Sequence, residues 1–327
     1  GERVAGVVNA ILRKVAAHDL DAWLAQLAAG RDELGRLALI HQHPRWVVDA
    51  FADVVPAGEL EALLIADNQP PVPQLVVRPG LAEQAELGGE PARYSPFGAY
   101  AAGDPGAVPA VAQGRAGVQD EGSQLVALAL ARAEAIDGPW LDVCAGPGGK
   151  SALLAGLAIE QGTRLVASEV APHRAELVAA NLRGYEGEFA PVTVVADGTR
   201  PAWAPSSFAK VLADVPCTGL GALRRRPESR WRRQPSDVPA LVELQKKLLA
   251  GAIAATKPGG VIGYVTCSPH AAETTEVVAT AESVDVLHAA DYLPEVPDAV
   301  LGDYLQLWPH RHGTDAMFLA LLRRQSR

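Results

Sequence analysis

Leu141-Asp142-Val143-Cys144-Ala145-Gly146-Pro147-Gly148-Gly149-Lys150 reads as a strand that runs into a glycine-rich turn and then into a helix. Glycines here let the backbone approach a ligand, and the amides that open the following helix attract an anionic group. In open α/β sheets ligands sit beyond the carboxyl ends of the strands, where this loop falls. The spacing is not the dinucleotide G-x-G-x-x-G. The Gly149-Lys150-Ser151 tail approaches a phosphate-binding loop, but the first glycine stands at the wrong distance. A tight turn without a ligand is the alternative reading.

Strands and helices alternate on either side of this loop. The apolar runs 140–144, 164–168, 192–195, 211–213 and 261–266 are short and bounded by Gly, Asp or Pro, with helical stretches at 151–158, 173–182 and 238–256. That order predicts a mostly parallel, doubly wound α/β sheet, which the further β-like runs 284–287, 304–307 and 317–322 complete. Upstream, apolar residues at helical spacing make 7–64 helical, with Trp46, Val47 and Phe51 on one face after Pro44. From Asn68 to Gly117 the chain is rich in Pro, Gly and Ala, with one β-like run at 75–77. This shift in composition puts a boundary near Gly117.

At 327 residues the chain has room for roughly two domains. With 49% hydrophobic and 20% charged residues it can bury a core, which excludes disorder as its main state. Cys144, Cys217 and Cys267 leave one cysteine over from any pairing and show no C-x-x-C spacing, which argues against a disulfide framework or a zinc site. No apolar run reaches the length of a membrane span and no signal-peptide pattern opens the chain, so the cytoplasm is the expected compartment. Met317 is the only methionine, and the chain begins in what reads as the middle of a helix, so a missing upstream portion is expected. A net charge of -9 argues against a uniformly basic nucleic-acid binder but leaves room for a local basic site.

Three carboxylates stand at successive strand ends. Glu169 is placed to meet ribose hydroxyls, Asp197 an adenine amino group, and Asp214 ends the fourth strand, an arrangement suited to an adenosyl ligand. As single residues they could equally cap helices. Cys217 in Asp214-Val215-Pro216-Cys217 and Cys267 in Thr266-Cys267-Ser268 both follow strands, on the edge that carries the glycine loop. Thiolate nucleophiles occupy such partly exposed places, whereas lone cysteines are ordinarily inert core residues. His41 with His43, and His310 with His312, lack further ligands for a metal site, so no metal is expected.

These motifs together resemble the RNA cytosine-carbon-5 methyltransferases of the Sun/Fmu (RsmB) type, related to the eukaryotic NSUN enzymes. The resemblance rests on Val118-Gln119-Asp120 through Ser123-Gln124, Asp142–Lys150, Asp214 to Gly219, Lys257 to Ser268, and His312-Gly313-Thr314-Asp315. His43-Pro44-Arg45-Trp46 and Asn68-Gln69-Pro70-Pro71 look like the region preceding the family's catalytic domain, and Val8–Arg13 looks like the end of its NusB-like RNA-binding domain. The domains implied are a NusB-like remnant at 1–20, a helical and mixed region at 21–117, and a catalytic domain at 118–327 with a seven-stranded Rossmann-like methyltransferase sheet. Gly146 stands where many members have alanine, Glu169 where many have aspartate, and Ala316 where glycine is common.

The resemblance implies S-adenosyl-L-methionine as cofactor, cradled by Cys144, Ala145, Gly146, Pro147, Gly148, Gly149 and Lys150, with Glu169, Asp197, Asp214 and Arg174 around it. It implies Cys267 as nucleophile, Cys217 as the residue assisting product release, and Asp214 as a contact to the base. The implied partner is RNA, most simply small-subunit rRNA, with no membrane and no obligatory protein partner; the target base leaves its stack. Arg224, Arg225, Arg226, Arg230 and Arg232, with Arg233 and Trp231, read as a phosphate-contacting RNA rim, the bland alternative being a solvated loop. The rival functions are a tRNA methyltransferase and a non-catalytic RNA-binding or assembly factor.

Overall fold

The computed structural model describes residues 2–56, 58–200 and 202–326. The predicted helical region 7–64 resolves into helices Glu2–Val15, Leu20–Ala28, Glu33–Ile40, Arg45–Ala52 and Leu60–Ala66. Asp19 and Asp32 restart the helix after breaks by accepting from the amides of Ala22 (2.8 Å) and Gly35 (3.0 Å). Helix Glu2–Val15 turns an apolar stripe of Val4, Val7, Val8, Ile11, Leu12 and Val15 to solvent. The later helices bury Leu37, Val47, Val48, Phe51, Leu63 and Leu64 against Leu220, Leu223, Trp308 and Ala316.

The Pro- and Gly-rich region forms a small antiparallel sheet of Gln74–Val77 (β1), Gly98–Tyr100 (β2) and Ala116–Val118 (β3), with β1 in the middle. Gln74 couples this sheet to the segment 119–121. Its carbonyl accepts from the Gln119 amide (2.9 Å) and its side-chain oxygen from the Glu121 amide (2.6 Å). Asp120 then caps helix Glu121–Arg132 through the Gly122 amide (2.9 Å). That helix is buried from residue 121 to 131 and packs on helix Gly149–Glu160.

The main sheet contains Trp140–Asp142 (β4), Leu165–Glu169 (β5), Val192–Val195 (β6), Phe208–Asp214 (β7), Thr256–Thr266 (β8), Val284–Leu287 (β9), Val300–Leu301 (β10), Tyr304–Gln306 (β11) and Phe318–Arg324 (β12). Five strands run parallel in the order β6-β5-β4-β7-β8, and β12 closes antiparallel on β8. Helices cover both faces, so the doubly wound α/β class holds. The expected count of seven strands does not: among the described residues there are nine. The far edge of β12 is shared, β11 pairing with Leu319 and Phe318 and β9 with residues 321–324, while β10 is a two-residue hairpin partner of β11.

One face of the sheet packs Leu125, Leu130, Leu153, Leu154 and Val178 over Leu165, Leu212 and Val265; the other packs Leu248, Leu249 and Ala252 over Leu141, Val211 and Ile262. Fully burying each such leucine contributes about 1.5–3 kcal/mol. No helix among the described residues is long and apolar enough to cross a membrane.

Candidate active site

The glycine loop lies across the carboxyl ends of three strands. Val143 N–H donates to Leu212 O (3.0 Å) and Ala145 N–H to Ser168 O (2.9 Å), so the backbone is fixed to β7 and β5 before it turns. Buried Asp142, at the end of β4, accepts from the Ser151 hydroxyl (2.7 Å) and the Cys144 amide (3.2 Å), tying strand, loop and helix together. Burial pushes its carboxyl up to about 7. Glu169 accepts from the amides of Gly146 (3.0 Å) and Ala171 (3.0 Å), and Arg174 donates to Gly146 O (2.6 Å). A Cβ on Gly146 would stand 2.2 Å from Glu169 Oε2. Gly148, at φ +114°, opens the helix in a conformation that disfavours any side chain.

Below the loop a cavity of about 110 Å³ is bounded by Gln119, Pro147, Gly149 and Asn181. The Gln119 side-chain amide is buried there, and neither its nitrogen nor its oxygen has a hydrogen-bond partner among the described residues. Orphaned polar atoms facing free helix amides fit a ligand with both charged and polar ends. Asp197 is engaged differently: exposed, it accepts from Thr199 N–H (2.9 Å) and Oγ1 (2.7 Å) and so closes its own turn.

Strands β7 and β8 are parallel neighbours with Asp214 opposite Val265, so the loops that follow them leave the sheet side by side. This brings Cys217 Sγ within 3.4 Å of Cys267 Sγ. Cys217 is buried and Cys267 half-buried. Lys150, placed in the glycine loop by the sequence, reaches the same point: its Nζ lies 2.7 Å from Asp214 Oδ2 and 3.2 Å from Ser123 Oγ. Hydrogen bonding from Cys217 draws the Cys267 thiol below its usual range against the opposing effects of burial and the Asp214 charge, and Lys150 adds to the lowering. Cys217 moves the other way, through its bond to Cys267, burial and the Cys267 and Glu273 charges. Burial foremost raises the Cys144 thiol as well, which leaves Cys144 to line the loop through its backbone.

Asp315 completes the floor. Its amide donates to both Asp120 oxygens (3.1 Å each), and its buried carboxylate receives Arg225 Nε at 3.0 and 3.1 Å. Burial, then the Asp315 charge, raises Asp120 to about 7.

The arginine segment is not a uniform rim. Arg225, Arg226 and Arg232 are exposed, as is Trp231. Arg230 is a correction to the sequence reading: its buried guanidinium donates to Asn68 Oδ1 (2.7 Å), Gln42 O (3.2 Å) and Asp67 O (3.2 Å). Arg224 also turns inward, to Gly313 O (2.9 Å) and Asp120 (3.4 Å). Each satisfies one buried residue, Asp67 for Arg230 and Asp120 for Arg224, so neither side chain is presented to a phosphate. A larger cavity of about 750 Å³ lies away from this chemistry, under Trp140 and Lys210, where Lys210 Nζ reaches Ala131 O (2.5 Å), capping the end of helix Glu121–Arg132, and the Gln161 side-chain oxygen (3.4 Å).

Gln119, Asp315 and Glu273 carry no role that the sequence alone assigns. Gln119 and Asp315 fall inside the family-like motifs, and that position is their only signal; Glu273, six residues beyond Cys267, has none.

A family model described as 16S rRNA methyltransferase RsmB/F matches residues 126–323. A putative methyltransferase of Mycobacterium tuberculosis is 52% identical over 98% of this chain and 72% of its own length. A probable ribosomal RNA small subunit methyltransferase B of Bacillus subtilis is 30% identical over 98% of this chain and 74% of its own. The solved structure of a methyltransferase homolog protein from Pyrococcus horikoshii superposes with a TM-score of 0.74 at 20% identity, covering 90% of this chain and 99% of that one, and shares the fold.

Proposed function

The chain belongs to the RsmB/F family of methyltransferases, and from that premise we propose that it transfers a methyl group from S-adenosylmethionine to carbon 5 of a cytosine in small-subunit rRNA. The observation that carries this reading is the pair of thiols 3.4 Å apart, with Lys150 and Asp214 beside them at the strand end that bears the glycine loop.

S-Adenosylmethionine supplies an electrophilic methyl group on a sulfonium. Backbone from Cys144 to Lys150 would hold it, with Glu169 to serve the ribose, Asp197 the adenine, and Arg174 to brace the loop. Carbon 5 of cytosine is a weak nucleophile, and Cys267 overcomes this by adding its thiolate to carbon 6, which pushes electron density onto carbon 5. Asp214, held by Lys150 through Oδ2, presents its other oxygen to the base amino group. After methylation the carbon 5 proton passes to water, and the carbon 6–sulfur bond breaks with its electron pair returning to Cys267 as thiolate; Cys217 assists this elimination. Arg226 and Arg232 line the phosphate path of the RNA, with the exposed flank of Arg225, whose Nε is held by Asp315, beside it, and Trp231 offers an aromatic face.

Two variants test the roles. Cys267→Ala abolishes methyl transfer to small-subunit rRNA while methyl-donor binding persists; retained transfer refutes the assignment. Cys217→Ala accumulates an enzyme–RNA adduct, seen as a retarded band on a denaturing gel, and absence of that band under turnover sinks its role. Bisulfite mapping locates the product at cytosine carbon 5, and methylation of tRNA transcripts alone would move the substrate class.

A further inference from the structure

Behind the two cysteines lies a carboxylate that the methyl transfer itself leaves unused. Glu273 is fully buried and no lysine or arginine pairs with it among the described residues. Its oxygens accept from Thr218 N–H (2.8 Å), Thr218 Oγ1 (2.5 Å) and Gln245 Nε2 (3.1 Å). A buried anion without a counter-cation is costly and is tolerated only when its oxygens are satisfied, as these are.

The donors are the neighbours of the cysteines. Thr218 follows Cys217; Gln245 also donates to Pro216 O (2.9 Å), which precedes it. Thr218 Oγ1 lies 3.0 Å from Ser268 Oγ, and Ser268 follows Cys267. Because Thr218 gives its proton to Glu273, Ser268 must donate to Thr218, and Ser268 in turn accepts from His270 N–H (3.3 Å). One chain of hydrogen bonds thus runs from the Cys267 loop through the Cys217 loop to Glu273. The Tyr264 hydroxyl anchors the Glu273 carbonyl from β8 (2.7 Å).

The charges around the sulfurs are asymmetric. Lys150, Asp214, Asp315 and Arg225 act on Cys267, whereas Glu273 acts on Cys217, whose carbonyl faces Arg233 (3.5 Å). We propose that Glu273 is a positioning residue for the cysteine pair: it locks the two loops in register, and its negative charge directs the pair's single ionisation to Cys267. This rests on Cys267 being the nucleophile, and it gives a physical reason why two thiols in contact take different parts.

The experiment reads which sulfur ionises, without RNA or methyl donor. The full chain is treated with limiting iodoacetamide across pH 6–9 and the label is located by peptide mapping; in parallel, the thiolate ultraviolet absorbance of Cys217 is titrated in a Cys144→Ser/Cys267→Ser background, with and without Glu273→Gln. In the wild-type chain the pH midpoint of Cys267 labelling lies below that of Cys217, a comparison that the greater exposure of Cys267 does not bias; the reverse order of midpoints overturns the proposal even if no variant folds. Glu273→Gln lowers the pH at which Cys217 ionises, raising its thiolate fraction at neutral pH about tenfold, while Glu273→Asp, which keeps the charge, stays near wild type. An unchanged Cys217 titration in folded Glu273→Gln also overturns it. A Cys267→Ala chain that still methylates RNA would defeat the nucleophile assignment and leave this ionisation result standing, so the two failures are distinguishable.

Discussion

Glu169 occupies the space that a methyl group on Gly146 would need, its Oε2 being 2.2 Å from that Cβ position. Both residues depart from the pattern the chain otherwise resembles, alanine and aspartate being common there, and the geometry makes the two departures one. A longer acid reaches the amide of residue 146 only if that residue has no side chain. Gly146→Ala is expected to push Glu169 off the loop and weaken S-adenosylmethionine binding about tenfold, or about 1.4 kcal/mol. Adding Glu169→Asp restores most of it. Calorimetric titration of the two single variants and the double variant closes the cycle, and simple additivity would show that the pair is not coupled.

The segment from Leu220 to Arg233 has two edges with different work. Inward, Leu220, Leu223 and Arg230 hold the N-terminal helices against the loop that carries Cys217. Outward stand Arg226, Trp231 and Arg232. Arg230→Ala leaves three oxygens short of a donor and is expected to cost about 1–3 kcal/mol in urea unfolding with little change in the salt dependence of RNA binding. The double variant Arg226→Glu/Arg232→Glu does the reverse: filter binding weakens and the slope of log K against log salt falls by about 2. A sequence holds the arginines but not their direction, because Arg230 is turned inward by oxygens at positions 42, 67 and 68, far away in the chain. The same limit hid Glu273, whose partners Thr218 and Gln245 meet it only after folding. Helix Glu121–Arg132 is buried from 121 to 131 and so has no amphipathic stripe to read, whereas helix Gly149–Glu160, equally buried through 151–158, was legible from its place between the glycine loop and the next strand; β2, Gly98–Tyr100, has too little β-branched character to stand out; and β10 has only two residues. The paired cysteines were legible because parallel strands deliver their carboxyl ends to one edge whatever the details of packing.

Across the whole molecule, buried acids govern the response to pH. Asp142 and Asp120 are both raised to about 7 when folded. Between their unfolded and folded values the native state binds more protons than the unfolded chain, so these groups make stability fall as pH rises from about 4 to about 7. In Asp142→Asn the amide can donate to Ser151 Oγ and still accept from the Cys144 amide, so the architecture survives while one titration is removed. Urea unfolding at pH 5 and pH 8 is expected to show the loss between the two shrinking by about 2 kcal/mol in the variant. Contributions common to both chains, such as that of Glu59, held down to about 2 by Arg311 and His310, cancel in the comparison.

Strand β12 has β8 along one side and, along the other, β11 and β9 placed end to end. Its amides are therefore expected to be among the last to trade hydrogen for deuterium. Because β12 is the common partner of both halves of that edge, a nascent chain cannot zip the sheet shut until residue 324 has cleared the ribosome tunnel, and until then β8 presents a bare flank that a chaperone would have to shield.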